Sequence, residues 1–243
     1  MIALISKEWK DFWSNSFSLI SVGVIILLTF LFLWIFPDSS YNSYGYAEPD
    51  LYFVFMSYLL LFIVPAFAVG FLATEYRYGT EELIRSLGIK WRNALLAKFV
   101  AGILVLALIL VLTYAHLWVI GDLAVIDNGA GGTQLISSYI GLLGIGGVYI
   151  ALSLLITSMV RQTTASYLLS VFICFMIYIG ISWIGALDVF SSDIQYSIER
   201  WSLSYHADQL ARGILRLSSV IYVSAIIIWS LWMSAYRLNT REI

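Results

Sequence analysis

LYFVFMSYLLLFIVPAFAVGFLA, residues 51–73, contains no charged side chain, and TEYRYGTEELIRSLGIKWRNALLAK, residues 74–98, follows it at once. A helix needs about 20 apolar residues to cross the roughly 30 Å hydrocarbon layer of a membrane, so the first stretch reads as a span. The second carries eight of the chain's 13 basic and 15 acidic residues, and a further apolar run, 99–120, succeeds it. The fold class turns on this alternation of span, charged insert and span.

The same pattern extends outward in both directions. Six segments have the length and apolar character of spans: 17–36, 51–73, 99–120, 135–159, 163–187 and 218–236. Of the 243 residues 61% are hydrophobic and 12% charged, about half the charge of a soluble domain. The chain therefore reads as one all-α, polytopic membrane domain over 1–243. The first apolar run is too long for the h-region of a signal peptide, and no small-residue cleavage site follows it. The single cysteine, Cys174, falls in the fifth span, so no disulfide forms within the chain.

Charge placement sets the expected orientation. With the N-terminus cytoplasmic, the inner segments hold Lys7, Lys10, Arg77, Arg85, Lys90, Arg92, Lys98, Arg161, Arg237 and Arg241. The outer segments hold Arg200, Arg212 and Arg216. Such a bias follows the positive-inside rule and puts both termini inside.

The spans exclude several functions. Their apolar cores contain no Asp, Glu, Lys or Arg, the residues that mark proton relays, ion pathways and intramembrane proteolysis. His116 and His206 have no Cys or second His nearby, and neither H-E-x-x-H nor G-x-x-x-x-G-K-[ST] occurs. No metal site, no bound cofactor, no catalytic residue and no nucleic-acid partner is expected. The glycines of GLLGIGGVYIA, 141–151, read as packing positions, with Gly147 and Ala151 letting helices approach closely. Tyr58, Tyr114, Tyr139, Tyr178 and Ser182 are the polar side chains best placed to line a pathway, though tyrosines of this kind also serve in packing.

Within 74–98, Gly79 predicts a turn and Thr80 an N-cap. Glu81 and Glu82 suit the first turn of a helix and Arg85 its far end, and Gly88 suits its stop. The expectation is a short helix of about 10 Å over 81–87, within a segment 79–88, with Leu83, Ile84 and Leu87 on one face. Helices this short are marginal in water, so it must dock on something. MIALISKEWKDFWSNS, 1–16, predicts an amphipathic helix in the membrane interface, with Ile2, Ile5, Trp9, Phe12 and Trp13 opposite Lys7, Lys10, Asp11 and Ser14. Between the last two spans, 188–216 predicts short helices at the outer face.

An interfacial elbow helix, six spans, a charged helix between spans two and three and outer helices before span six together resemble the transmembrane subunit of ABC-2-type transporters (the type V exporter arrangement). EYRYGTEELIRSL is similar to that family's E-x-R-x-G-T-x-E-L-x-x-x-L at its cytoplasmic coupling helix, matched by Glu75, Arg77, Gly79, Thr80, Glu82, Leu83 and Leu87. Gly88 stands where many relatives carry proline. A narrower resemblance, to gliding-motility-associated permeases of the GldF type, rests on FLWIFPDSSYNSYGYA (32–47), LFIVPAF (61–67), SSYIGLL (137–143) and SYHADQLARGILRLSSVIY (204–222).

The resemblance implies a non-catalytic inner-membrane permease in a membrane protein complex. Its partners would be a GldA-like ABC ATPase that binds ATP and Mg, a GldG-like accessory membrane protein with a periplasmic domain, and a second permease copy. The ATPase would contact the chain through Glu75, Arg77, Gly79, Thr80, Glu82, Leu83, Ile84, Arg85 and Leu87. Pro65, which removes one helix hydrogen bond, is the hinge candidate, and Tyr205, His206, Arg212 and Gly213 are the candidates for a periplasmic partner contact. Two functions stay open: solute export driven by the ATPase, or relay of ATPase motion to a periplasmic partner without transport.

Overall fold

A computed structural model of the chain describes residues 1–36, 49–81, 86–123, 132–187, 189, 191–211, 214 and 216–240. These residues are helical almost throughout, and none of them lies in a strand. In chain order the helices are α1 (Ile2–Ser14), α2 (Ser16–Trp34), α3 (Pro49–Tyr78), α4 (Trp91–Leu123), α5 (Gly132–Met159), α6 (Thr163–Phe175), α7 (Ile181–Gly185), α8 (Ser192–Glu199), α9 (Leu203–Ala211) and α10 (Leu217–Thr240). A π-helical turn, Met176–Gly180, joins α6 to α7. Among the described residues five stretches are long and apolar enough to cross a membrane, or six if α1 and α2, bent by 71°, count as one span. The chain is a multi-pass membrane protein.

Helix ends follow local chemistry more closely than the apolar runs do. α3 continues past residue 73 because no Gly or Pro interrupts the sequence before Gly79. There the chain turns: Gly79 takes a left-handed φ of 66°, and the Thr80 N–H donates to the Glu75 carbonyl at 3.1 Å. This is the Schellman closure, in which a left-handed glycine lets the chain reach back over the last turn. Thr80, expected to open a new helix, has its backbone N–H engaged in closing the old one. Gly88 is also left-handed, with φ 67°. The Lys90 carbonyl then accepts the first bonds of α4, from the N–H groups of Asn93 and Ala94.

α5 is the hub of the bundle, packing against α3, α4, α6, α9 and α10. In lipid, helices associate through close packing, which small residues permit. Gly146 accordingly abuts the Leu106 side chain. Gly147 has Ile103 and Ile227 at 3.2 and 3.3 Å from where a Cβ would stand. At Gly141 that point lies only 2.5 Å from Leu210 Cβ, with Leu210 backbone atoms at 3.4 Å, so the missing side chain is what admits α9. Ala151, the other packing position read from the sequence, is fully buried.

The apolar stripe of α1 turns into the bundle. Phe12 is buried, its ring 5.7 Å from Phe67 and 6.2 Å from Phe71 of α3. Ile5, Trp9 and Trp13 pack partly against the same core, while Ile2 stays exposed. The two tryptophans expected at headgroup level are therefore half covered by protein. α3 runs through Pro65 as one helix, and proline leaves the Leu61 carbonyl without its usual donor.

Gly141→Val should displace α9 and lower stability by about 1–3 kcal/mol through overpacking, seen as a lower unfolding temperature in detergent. Gly144→Ala, whose added Cβ would meet Val223 at an ordinary 3.5 Å, should be neutral or slightly stabilising through helix propensity. Equal effects from the two would contradict the close-approach account.

Candidate functional site

The charged insert and the elbow helix meet at one end of the bundle, around a lysine. Lys98 lies two turns into α4, on the stripe of Trp91, Ala94 and Leu95, and is 1% exposed. An ammonium has three N–H donors and no acceptor. Lys98 donates to Glu8 Oε1 and to the Phe71 carbonyl, each at 2.8 Å, and pairs with Glu75 Oε1 at 2.7 Å, a charge contact without hydrogen-bond geometry. Glu8 belongs to α1, Phe71 and Glu75 to α3, and all three side chains are buried. One charge thus ties together the elbow, the helix that enters the insert and the helix that leaves it. Lys7 adds longer contacts from the solvent side, to Glu8 at 3.4 Å and to Asp11 and Glu75 at 3.8 Å.

A polar cleft of about 560 Å³ opens beside this cluster, lined by Lys7, Asp11, Ser14, Asn15, Thr74, Glu75, Arg77, Tyr78 and Thr80. Arg161, in the turn between α5 and α6, reaches the insert from the other side. Its guanidinium lies 3.6 Å from Glu81 and 5.5 Å from the centroid of the Tyr76 ring. Arg161 is exposed and the Glu81 side chain only 13% so; at this distance the pair adds modest stability, and it links a second loop at the same end to the insert.

Of the residues expected to contact an ATPase, Arg77 and Leu87 are exposed, Thr80 is half-buried and Gly79 forms the α3 stop. Glu75 is buried and holds Lys98. Glu82, Leu83, Ile84 and Arg85 lie outside the described residues, and with them the interior of the expected 81–87 helix. Sequence reasoning missed Glu8, Lys98 and Arg161 as structural elements. For the first two a signal existed. Glu8 falls in the stripe of Ile5 and Phe12 on α1, and Glu75 in the stripe of Ala68, Phe71 and Leu72 on α3. Acids on buried stripes require a cation, and Lys98 occupies the matching stripe of α4.

The tyrosines considered as pathway residues gather into two packed groups. Tyr139 meets Tyr52 with hydroxyls 3.2 Å apart, and its ring lies 5.4 Å from Tyr114. Tyr178, in the π turn, packs edge-on against Tyr58 at 5.4 Å and Tyr149 at 6.3 Å. Ser182 is half-buried beyond that turn.

The opposite end is built by α8, α9 and the start of α10. α9 lies along α5, α3 and the π turn, with Leu203, Ala207 and Leu210 buried. His206 is buried and bonded through Nδ1 to Ser219 Oγ at 3.0 Å, and its ring stacks on Tyr222 at 4.3 Å. Tyr222 in turn donates to the Trp201 carbonyl at 2.6 Å. Burial pushes the His206 imidazole below its ordinary value; a hydrogen bond to the Arg200 backbone opposes the shift and the Arg200 charge adds to it. Tyr205 is half-buried beside it. Arg212 and Gly213 lie outside the described residues.

Neither a protein-family model nor a curated protein matches the chain.

Lys98→Met should strand two buried carboxylates and cost about 3–5 kcal/mol, read as a lower unfolding temperature and faster proteolysis within α1. Lys98→Leu/Glu8→Leu/Glu75→Leu should recover most of that loss, because replacing a whole buried ion cluster by apolar groups is often neutral. A triple variant no better than the single one would contradict the pairing.

His206 gives a pH dependence of definite sign. With its folded pKa depressed, the unfolded chain takes up the proton first as pH falls below about 6.5. Stability contributed by neutral His206 is therefore complete above that value and is lost as pH falls toward the folded pKa. The fall in unfolding temperature between pH 7 and pH 5 should be smaller in His206→Asn; an identical fall would refute the assignment.

Proposed function

We propose that this chain is the transmembrane permease subunit of an ABC-2-type transporter of the gliding-motility class, worked by a separate ATPase from the cytoplasmic side. The ATPase binds and hydrolyses ATP; this chain receives the resulting motion through segment 79–88 and passes it to the spans. A second permease copy completes the membrane core, and an accessory protein with a periplasmic domain completes the complex.

The sequence resemblance is the starting point, and one structural observation carries the reading further. The family-like motif joins two span-length helices at a segment flanked by two left-handed glycines, Gly79 and Gly88. Both helices are pinned to the elbow through Lys98, and the insert is pinned to the α5–α6 turn through Glu81 and Arg161. A push on the segment is thus shared by α1, α3, α4 and the turn leading to α6. Around it, Tyr78 is 74% and Leu87 65% exposed, an arrangement suited to apolar contact with a partner. The relay variant, without solute transport, gains support from α9, which couples the opposite end directly to α3 and α5.

Leu87→Asp should weaken recovery of an ATP-binding-cassette ATPase with the chain from native membranes. Burial of one leucine is worth about 1.5–3 kcal/mol, so the expected loss is about ten- to hundredfold in affinity. Undiminished co-purification would count against the reading. Orientation has its own check: in a Cys174→Ala background, Leu87→Cys should react with a membrane-impermeant maleimide only after cells are permeabilised. Labelling in intact cells would reverse the topology.

A further inference from the structure

The end opposite the elbow holds a second polar cleft, of about 410 Å³. Its walls come from the end of α8, from α9 and from the first turn of α10. The lining supplies two guanidinium groups, Arg200 and Arg216, together with Ser197, Ser218, Gln209 and the indole of Trp201. Among the described residues no carboxylate lines it. Asp208, exposed on α9, and Glu199, next to Arg200 in sequence, are not among its lining residues.

The cleft is backed by a fixed frame. His206 bonds Ser219, Ser219 donates to Gln209 at 3.4 Å, and Tyr222 closes onto the Trp201 carbonyl. Ser202 caps α9 by accepting the Tyr205 N–H at 3.2 Å. Arg216 is itself the N-cap of α10, its carbonyl accepting from Ser219 and Val220. The positive end of a 24-residue helix therefore lies at residues that line the cleft, Arg216 and Ser218, and helix N-termini favour phosphate oxygens. Arg200 and Arg216 are exposed, the Arg200 guanidinium resting 5.8 Å from the centroid of the Tyr196 ring.

The rim indicates where such a ligand comes from. Trp201 is 68% and Leu217 75% exposed, and Trp183, Val189 and Ile214 also present apolar surface at this end. Tryptophan and aliphatic side chains interleaved with arginine mark the headgroup level of a bilayer. A soluble anion would need only the cations; a lipid also needs the apolar rim for its chains.

We propose that this cleft binds the phosphoryl headgroup of an anionic phospholipid, with Arg200 and Arg216 holding the phosphate and Trp201 and Leu217 flanking the acyl chains. Both arginines donate charge-assisted bonds to the phosphate oxygens, Ser218 and the first N–H groups of α10 complete the cradle, and His206 fixes its back wall without contacting the lipid.

The test is binding by the full chain in a neutral detergent, with three probes: short-chain phosphatidylglycerol, short-chain phosphatidylcholine and inorganic phosphate. Phosphatidylglycerol should bind and raise the unfolding temperature. Arg200→Gln/Arg216→Gln should bind it about tenfold or more weakly, the equivalent of losing at least one charge-assisted hydrogen bond. Trp201→Ala should weaken the lipid while leaving any binding of inorganic phosphate unchanged. Arg237→Gln, an exposed arginine at the elbow end, should bind like the wild type. Because both cleft arginines are exposed, the ligand-free unfolding temperature of the double variant should match the wild type and show that it folds. If inorganic phosphate binds as tightly as the lipid, the ligand is a free phosphoryl group and the lipid assignment falls. Equal binding of phosphatidylcholine, or no difference between the double variant and Arg237→Gln, would overturn the site.

Discussion

A charged group withdrawn from water must find partners, and Lys98 finds two hydrogen-bond acceptors and a second carboxylate in two other parts of the chain. The free energy of a single buried ammonium without partners is prohibitive. Its presence therefore fixes where α1 and the end of α3 sit relative to α4. Phe12, wedged beside Phe67 and Phe71 one turn along, adds apolar contact to the same joint. Such a cluster is no great source of net stability, since desolvation consumes most of the Coulombic gain. What it contributes is position: only one arrangement of three helices satisfies it.

Away from that joint the bundle is organised by steric fit. α5 sits at the centre, and its glycines allow three neighbours, α4, α9 and α10, to come close, Leu106 at Gly146 and Leu210 at Gly141 being the tightest. The contact at Gly141 matters beyond packing. It seats α9 against the spans, so the helices at the end opposite the elbow are part of the bundle and not an appendage. Both ends are therefore mechanically attached to the same central helix, one through α4 and the Lys98 cluster, the other through α9.

Much of this was legible in the sequence, and the exceptions have physical causes. Apolar runs located the membrane-length helices because lipid leaves no alternative to a helix for satisfying the backbone. Gly79 and Gly88 announced their turns because only glycine takes a left-handed conformation without strain. Composition could not say that α3 continues through TEYRY: charged residues are good helix formers, and the helix stops only where Gly79 lets it. Nor did the positive-inside count separate Lys98 from its neighbours. Exposed and buried lysines look alike in a tally of charge; they differ only in the stripe they occupy, and Lys98 shares its stripe with Trp91, Ala94 and Leu95. The amphipathic pattern of α1 was visible, but it does not state whether the apolar face meets lipid or protein. Glu8 within that face was the clue that it meets protein.

The described spans carry irregularities of the backbone between the two ends. α3 spans the distance between them, about 45 Å at 1.5 Å per residue, and its one backbone defect is Pro65, where a carbonyl lacks its donor. The fifth span carries its own defect in the π turn, where the hydrogen-bond register shifts and Tyr178 is turned against Tyr58 of α3 and Tyr149 of α5. Both irregularities lie within the spans and not at either end. A displacement imposed at the elbow would be shared by α1, α3 and α4, which the Lys98 cluster ties together. Bending would concentrate at Pro65 and the π turn, and the aromatic contacts between them would set how far it goes. Under the proposed function, joints at the two ends with irregular backbone between them would suit force that enters at one face of a membrane and leaves at the other.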